Sequence, residues 1–534
     1  MSVPAEQIAA PKPPASAKPA RTGRSAFVVG VAILLSRFVG LARQRVFAHF
    51  FGDSWIADAF TAALRLPNIT QNLLGEGTLS ASFIPVYARA LGAADEPRAR
   101  AFARAALGLL ATAVLAVSVV GVAAAPGLTR VLVPGFEGAK LALAVQLVRL
   151  FFPMTGLLAL SAWCLGVLNS HRRFFMPYAA PVLWSLAQIA AVLLGSRHAE
   201  GERLAVWMGY GALAGGGLQL LVQLPACRAL VGSLRPTADW RTEDVRQATR
   251  ALGPVVAGRG VVQLSALLDT FLASMLGTGA NAALGYVQTL YILPVSLFGV
   301  GEAAAVLPEM ARETASQDEA ERRAAVRRRL GESLTRVGFT TVPTTVAYVA
   351  FADQLVGAFF KTGRFGASAV QYVAAALATY ILALVANASV RVMASTYYAL
   401  SDTKTPARWA IYRVCASAGL SWAAMQRFGI VGLCAGAALA GWFEALALAQ
   451  GLRRRLDGIP LDGSRWLKFA IASAVAAAAA LGVRHLCGGW HVLWSAAATL
   501  PTFGIVYAGA AYALGTPDVV ELVRAVERRF GRRG

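Results

Sequence analysis

The chain has 534 residues, 57% apolar and only 15% charged, with a mean hydropathy of +0.56 and a formal net charge of +22. Soluble domains run roughly 45–50% apolar and 25% charged, so a water-soluble globule is excluded and an integral membrane protein is indicated. Basic loops lying against anionic membrane lipids account for the positive charge, which argues against a nucleic-acid partner.

Residues 1–24, rich in Pro and Ala with four basic side chains, read as a disordered cytoplasmic tail and not as a cleaved signal. Beyond them, apolar windows of about 17–25 residues, each long enough to cross a bilayer as a helix, recur to the end of the chain. Fourteen such windows centre near residues 37, 68, 115, 157, 187, 214, 262, 299, 345, 385, 414, 440, 476 and 502. The expected fold is therefore an all-α polytopic membrane protein of about 14 transmembrane helices. The second window carries Asp58, Arg65, Pro67, Asn68, Gln71, Asn72 and Glu76, and hydropathy alone discards it. Topology retains it: with both termini inside, the inner segments hold 34 of the 50 Lys and Arg residues and the outer loops 8. Deleting that window would invert every later loop against the positive-inside rule. The five cysteines show no CxxC spacing, so neither a disulfide framework nor a metal site is indicated, and nothing calls for a cofactor.

An internal echo divides the windows. The segments 66–89 and 293–312 share Leu-Pro, a Gly/Glu pair, then Pro and Ala-Arg, and LNSHRRFFMP ending at Pro177 pairs with ALSDTKTP ending at Pro406. Both pairs keep the same orientation about 225–230 residues apart, as expected of two parallel six-helix lobes facing one another across a midplane site. This sets the expected division at 25–230 for the first lobe and 240–455 for the second. Two added helices at 463–515 and a basic cytoplasmic tail at 516–534 complete it.

Charge at membrane depth points to function. The first window runs through Arg37, Arg43 and Arg45. A guanidinium at bilayer depth costs roughly 2.5 kcal/mol or more, so it faces protein or a watery cavity and marks a ligand path, here for an anion. On the second window Asp58, Arg65 and Asn72, seven apart, share one polar stripe. For Arg65 a cavity role competes with an ion pair to Asp58, and for Arg45 with snorkelling to the interface.

Several ordered motifs carry a family resemblance across about residues 25–455. Ser36-Arg37-Phe38-Val39-Gly40-Leu41-Ala42-Arg43, Phe51-Gly52, Asp58-Ala59-Phe60, Leu66-Pro67-Asn68, Glu76-Gly77 and Phe83-Ile84-Pro85 come first. Gly166-Val167-Leu168-Asn169, Gln223-Leu224-Pro225, Leu307-Pro308 and Asp402-Thr403-Lys404-Thr405-Pro406 follow. Together they resemble the MurJ (MviN) family of bacterial lipid II flippases, in the multidrug/oligosaccharidyl-lipid/polysaccharide exporter superfamily. The resemblance implies a multi-pass protein of the bacterial cytoplasmic (inner) membrane with cytoplasmic termini. Its substrate would be undecaprenyl pyrophosphate carrying the disaccharide-pentapeptide, moved by alternating access for peptidoglycan synthesis, and its possible partners include cell-wall synthesis proteins. It further implies substrate contacts at Ser36, Arg37, Arg43 and Asp58. Where that family often has arginine near the end of the second span this chain has Gln71 and Asn72, and where it has an arginine and a glutamate on the eighth span this chain has Thr289 and Ile292. Arg65, Arg259 and Arg391 are the candidates for replacement charge. Asp269 and Glu302 are the membrane-depth acids of the second lobe that could couple an ion.

Four rival readings follow from the same residues. A drug/cation antiporter would favour an acidic cavity, against the arginine excess of the first lobe. A membrane glycosyltransferase would need acidic or His-containing outer loops with ligand spacing, which are missing. A flippase for another undecaprenyl-pyrophosphate-linked oligosaccharide, or a transport-inactive scaffold paralogue, fits the altered charges.

Overall fold

The computed structural model describes residues 22–237, 239–295 and 319–519. In chain order its helices are α1 (Thr22–Phe51), α2 (Trp55–Ala63), α3 (Arg65–Leu74), α4 (Glu76–Gly92), α5 (Glu96–Leu132), α6 (Gly138–Ser170), α7 (Phe175–Ala179), α8 (Pro181–Gly195), α9 (Gly201–Leu221) and α10 (Leu224–Val231). The second half continues with α11 (Glu243–Ser274), α12 (Ala280–Pro294), α13 (Glu319–Ala350), α14 (Ala352–Phe360), α15 (Ala367–Tyr380), α16 (Ala383–Ala399), α17 (Lys404–Arg455), α18 (Gly463–Leu486) and α19 (Val492–Ala513). Thirteen of the fourteen expected window centres fall on these helices; that near 299, with Glu302 and most of the 293–312 echo, lies outside the described residues.

Local chemistry sets the breaks. The Ser54 hydroxyl accepts from the Ala57 amide at the start of α2, and the Asp95 carboxylate from the Arg98 amide at the start of α5, each satisfying an orphan N–H of the first turn. α17, 52 residues long, is two helices joined at Gly429, whose φ of 55° and ψ of −133° no helix contains. Among the described residues, eight helices or joined pairs are long and apolar enough to cross a membrane, or nine if the pair α13 and α14, bent by 76°, counts as one. The charge-bearing α1, the interrupted run α2 to α4, and α11 fail that apolar test while packing within the same bundle.

The second half repeats the breaks of the first. Residues with positive φ recur in pairs, Gly52 with Gly279, Arg172 with Ser401, Gly201 with Gly429 and Gly232 with Gly458, each about 226–229 positions apart. After α6 the Arg173 amide donates to the Leu168 carbonyl, and after α16 the Asp402 amide donates to that of Tyr397, both at 2.9 Å. In the first half the post is α6, 78% of whose apolar window is buried, with Trp163 donating to the Ala103 carbonyl at 3.0 Å. The windows of α5, α18 and α19 are only 28% buried, which leaves their apolar sides for lipid. The α18–α19 hairpin packs on α13 through Phe351, Ala472, Ala476 and Phe503.

Candidate functional site, a cationic central cavity

Two connected hollows of about 570 and 450 Å³ lie between the halves, sharing Arg37, Arg43, Thr289 and Ile292 in their walls. The first is walled by Gln44, Thr61, Arg65, Asn68, Asn72 and Gln288 as well, and the second by Ser36, Tyr178 and Trp184. No carboxylate lines either hollow among the described residues.

Arg43 and Arg65 are held by neutral amides, with the buried Asp269 acting on Arg65 from outside the wall. Arg43 donates to Gln188 Oε1 at 3.2 Å and lies over the Trp184 ring, its guanidinium carbon 4.8 Å from the centroid, while its buried Nε has no partner. Gln188 is itself fixed by its amide donating to the Trp184 carbonyl at 3.2 Å. Arg65 donates to Gln288 Oε1 at 2.5 Å, which reaches across to the second half. Arg37 is exposed toward the hollow. Amide oxygens and a ring face orient a guanidinium without neutralising it, so its charge stays available to an anion, and the fork geometry suits the paired oxygens of a phosphate.

Of the residues singled out in the sequence, Ser36, Arg37, Arg43, Arg65, Asn72 and Thr289 meet in the cavity wall, and Ile292 sits among them. Asn72 also donates to Gln263 Oε1 of α11 at 3.1 Å. Asp58 does not join them. Fully buried, its carboxylate takes the Lys140 ammonium at 2.7 Å and the backbone amides of Gly279 and Ala282 at 2.8 and 2.9 Å. It thus caps the N-terminus of α12, where helix dipole and orphan amides favour an anion. The stripe with Arg65 keeps its face, since Asp58 meets Gly279 and Ala282, Thr61 meets Gly285 and Arg65 meets Gln288 along α12, but Asp58 lies two turns further on, in the closed end and outside the cavity. Gln71 is outside the wall, its carbonyl accepting the Gly75 amide at 2.7 Å. Arg391 sits apart beside Pro294, Thr341 and Asn387. Arg259 lies on α11 with its side chain outside the described set. Asp269 is 7% exposed and its Oδ1 has no hydrogen-bond partner.

Beyond these, sequence reasoning missed Gln44, Thr61, Asn68, Gln188 and Gln288. Thr61, Arg65, Asn68 and Asn72 follow helical spacing, and Arg37 and Gln44 are two turns apart, so a search for neutral polar residues in phase with the arginines finds most of them. Gln188 and Gln288 lie on mostly apolar helices and offer only their polarity.

At the end where α1 finishes and α12 begins, opposite the described chain ends, the halves are joined by more than Asp58. Tyr286 donates to the Gly52 carbonyl at 2.6 Å, Arg45 to the carbonyls of Ala358 and Phe359 at 2.8 and 2.9 Å, and the Arg364 amide to the His49 carbonyl at 2.9 Å. Arg45 therefore caps the C-terminus of α14 and does not snorkel. Gly279, at φ 97°, comes so near Asp53 that a Cβ would meet the Asp53 carbonyl oxygen at 2.9 Å. This far end is closed.

A bundle of two repeated halves around a polar, charge-lined central hollow, with lipid-facing apolar helices outside, is a multi-pass membrane transporter and not an enzyme. A family described as "Lipid II flippase MurJ" matches residues 47–501, and the chain belongs to that family, as its motifs indicated. It is 32% identical over 471 residues to a lipid II flippase MurJ of Burkholderia cenocepacia, covering 87% of this chain and 90% of that relative. A probable lipid II flippase MurJ of Rhizobium tropici is 31% identical over 431 residues, 80% of each chain. Among solved structures, a lipid II flippase MurJ in an inward closed conformation superposes with a TM-score of 0.74 at 20% identity, covering 91% of this chain and 99% of that one. An inward-facing multidrug resistance MATE family transporter of the MOP superfamily gives 0.66 at 15% identity, over 81% and 98%. At those identities the likeness carries the fold, which is the expected all-α one.

Proposed function

We propose that this chain flips lipid II across the cytoplasmic membrane by alternating access, with lobes 25–230 and 240–455 rocking about the central cavity and both termini cytoplasmic. The observation that carries the reading is the trio Arg37, Arg43 and Arg65 in one wall with no lining carboxylate among the described residues. Three positive charges suit a pyrophosphate, and neutral Gln44, Asn68, Asn72, Gln288 and Thr289 suit sugar and peptide amides, while an undecaprenyl tail stays in lipid. Thr289 and Ile292, in place of charge on α12, shift the phosphate grip onto the first lobe. Asp269, a buried carboxylate acted on by the charges of Arg65 and Arg413, would link cavity charge to a coupling cation. The basic inner segments rest on anionic lipids of the inner leaflet.

The test is complementation of a flippase-depleted strain by Arg43→Ala and Arg37→Ala at wild-type membrane levels, paired with translocation of fluorescent lipid II in vesicles. Loss of both growth and translocation supports the proposal. Full growth with either variant assigns the chain a scaffolding role and overturns it.

A further inference from the structure

A second polar hollow, of about 600 Å³, lies far from the cavity at the closed end of the bundle, between α14 and the α18–α19 hairpin. Its walls hold Asp353, Gln354, Lys361, Arg484 and His485. Arg484 grips Asp353 in a fork, at 3.1 and 2.5 Å, so that pair fastens the hairpin to α14 and cancels its own charge. Lys361 and His485 have no carboxylate partner among the described residues, which leaves the Lys361 ammonium as uncompensated charge.

The floor adds a second requirement. Gln354 is only 5% exposed; its amide nitrogen donates to Ser495 Oγ at 2.8 Å, and its Oε1 is buried without a partner. An unpaired buried amide end is destabilising, so the floor favours an occupant bringing hydrogen-bonding groups beside its negative charge. The wall also holds Leu481, Val492 and Trp490, the last 59% exposed, and Leu486 and Trp494, next in sequence to the lining His485 and Ser495, are 83% and 69% exposed. Exposed tryptophans at the ends of spanning helices belong at headgroup depth.

We infer that this hollow binds the headgroup of an anionic phospholipid, a phosphodiester with hydroxyl groups of the phosphatidylglycerol kind. Its phosphate lies at Lys361 and His485, its glycerol hydroxyls reach toward Gln354, and its acyl chains run down the exposed face of α18 and α19. The site is independent of the flipped substrate and of which leaflet the far end meets, so its failure leaves the transport proposal untouched.

Trp490 supplies a local probe. Full-length protein in bilayers containing brominated phosphatidylglycerol or brominated phosphatidylcholine is compared with Trp490→Phe, and the difference isolates the emission of Trp490. One ammonium near an anionic headgroup contributes enough to predict about a fivefold preference for the glycerol lipid in the quenching constant. Lys361→Ala with His485→Ala, which leaves the Asp353–Arg484 fork intact, removes that preference, and Lys361→Arg retains it. Equal quenching by both lipids, or a preference surviving the double variant, overturns the inference. Abolition of the preference by millimolar inorganic phosphate also overturns it, because the site would then belong to a soluble anion.

Discussion

Replacing Asp58 by Asn tests the closed end most directly. The carboxylate is fully buried, its Lys140 partner is 16% exposed, and the two amides it accepts belong to the opposite half. The amide of Asn keeps one acceptor, loses the charge opposite Lys140 and turns an N–H toward a donor. Breaking a buried pair costs roughly 3–5 kcal/mol, and escape of Lys140 toward solvent places this site at the lower end, about 3 kcal/mol. The cost falls on the closed arrangement, because separation of the halves exposes the carboxylate and the amides to water. A 3 kcal/mol loss raises the open population about a hundredfold. The assay is alkylation of a cysteine at Asn68, in the cavity wall, by an impermeant maleimide from the far side, with exposed Cys415 replaced by Ser. Labelling that reports a pre-equilibrium opening then accelerates in proportion. Adding Lys140→Met to Asp58→Asn removes the stranded ammonium and recovers part of the closure. A folded Asp58→Asn protein labelled at the wild-type rate would refute the assignment of Asp58 as the closure.

Gln188→Leu removes the bond that aims Arg43 while leaving the Trp184 ring beneath it; a hydrogen bond to a charged group is worth about 1.5–3 kcal/mol, so the apparent KM for lipid in a vesicle assay rises roughly tenfold or more with little change in kcat. Near the described chain ends, Arg98 donates twice to Asp244 at 2.7 Å, and that bond holds the Asp244 carboxyl below the usual carboxylate range. A lowered acid contributes stability that is whole above its unfolded value and lost as pH falls through the folded one, so the melting difference between wild type and Asp244→Asn stays constant from pH 8 to 5 and shrinks only below about pH 4. Because Arg98 is 58% exposed, water and salt screen the pair and that difference is small throughout. Gly211→Leu drives a side chain into Ala191 and the Ala187 carbonyl of α8, 2.9 Å from the added Cβ, costing roughly 1–3 kcal/mol in thermal melts without changing mass in size-exclusion with light scattering. A change of oligomeric mass would show that the glycine face is an interface between copies.

Hydropathy and loop charge carry the helical bundle because they report bulk transfer energies, which change little with the neighbours a helix finally meets. Arg37 and Arg43 were legible for the same reason: a guanidinium is too costly against lipid to be placed there idly. Asp58 was misread because helical spacing gives a face and not a depth: it shares with Arg65 the face toward α12, but lies two turns away among the Gly279 and Ala282 amides of the closed end. Its true partner, Lys140, lies 82 positions away at the start of α6 and outside every window counted as polar. The role of Arg45 turned on the carbonyls ending α14, which a one-dimensional reading cannot bring beside it. Gln188 and Gln288 were invisible because an amide on a mostly apolar helix looks the same whether it braces an arginine or its own backbone.

The absence of acids from the described cavity wall has a consequence for the empty carrier. Asp269, behind the wall, offsets Arg65 only in part, and the repulsion left among Arg37, Arg43 and Arg65 grows when both ends shut and water is squeezed out. An unloaded protein therefore resists passing through the doubly sealed arrangement that reorientation requires, whereas a bound diphosphate supplies the missing counter-charge and lets the walls come together. Cargo becomes the permit for movement, and futile cycling is suppressed by the wall itself, without a separate gate.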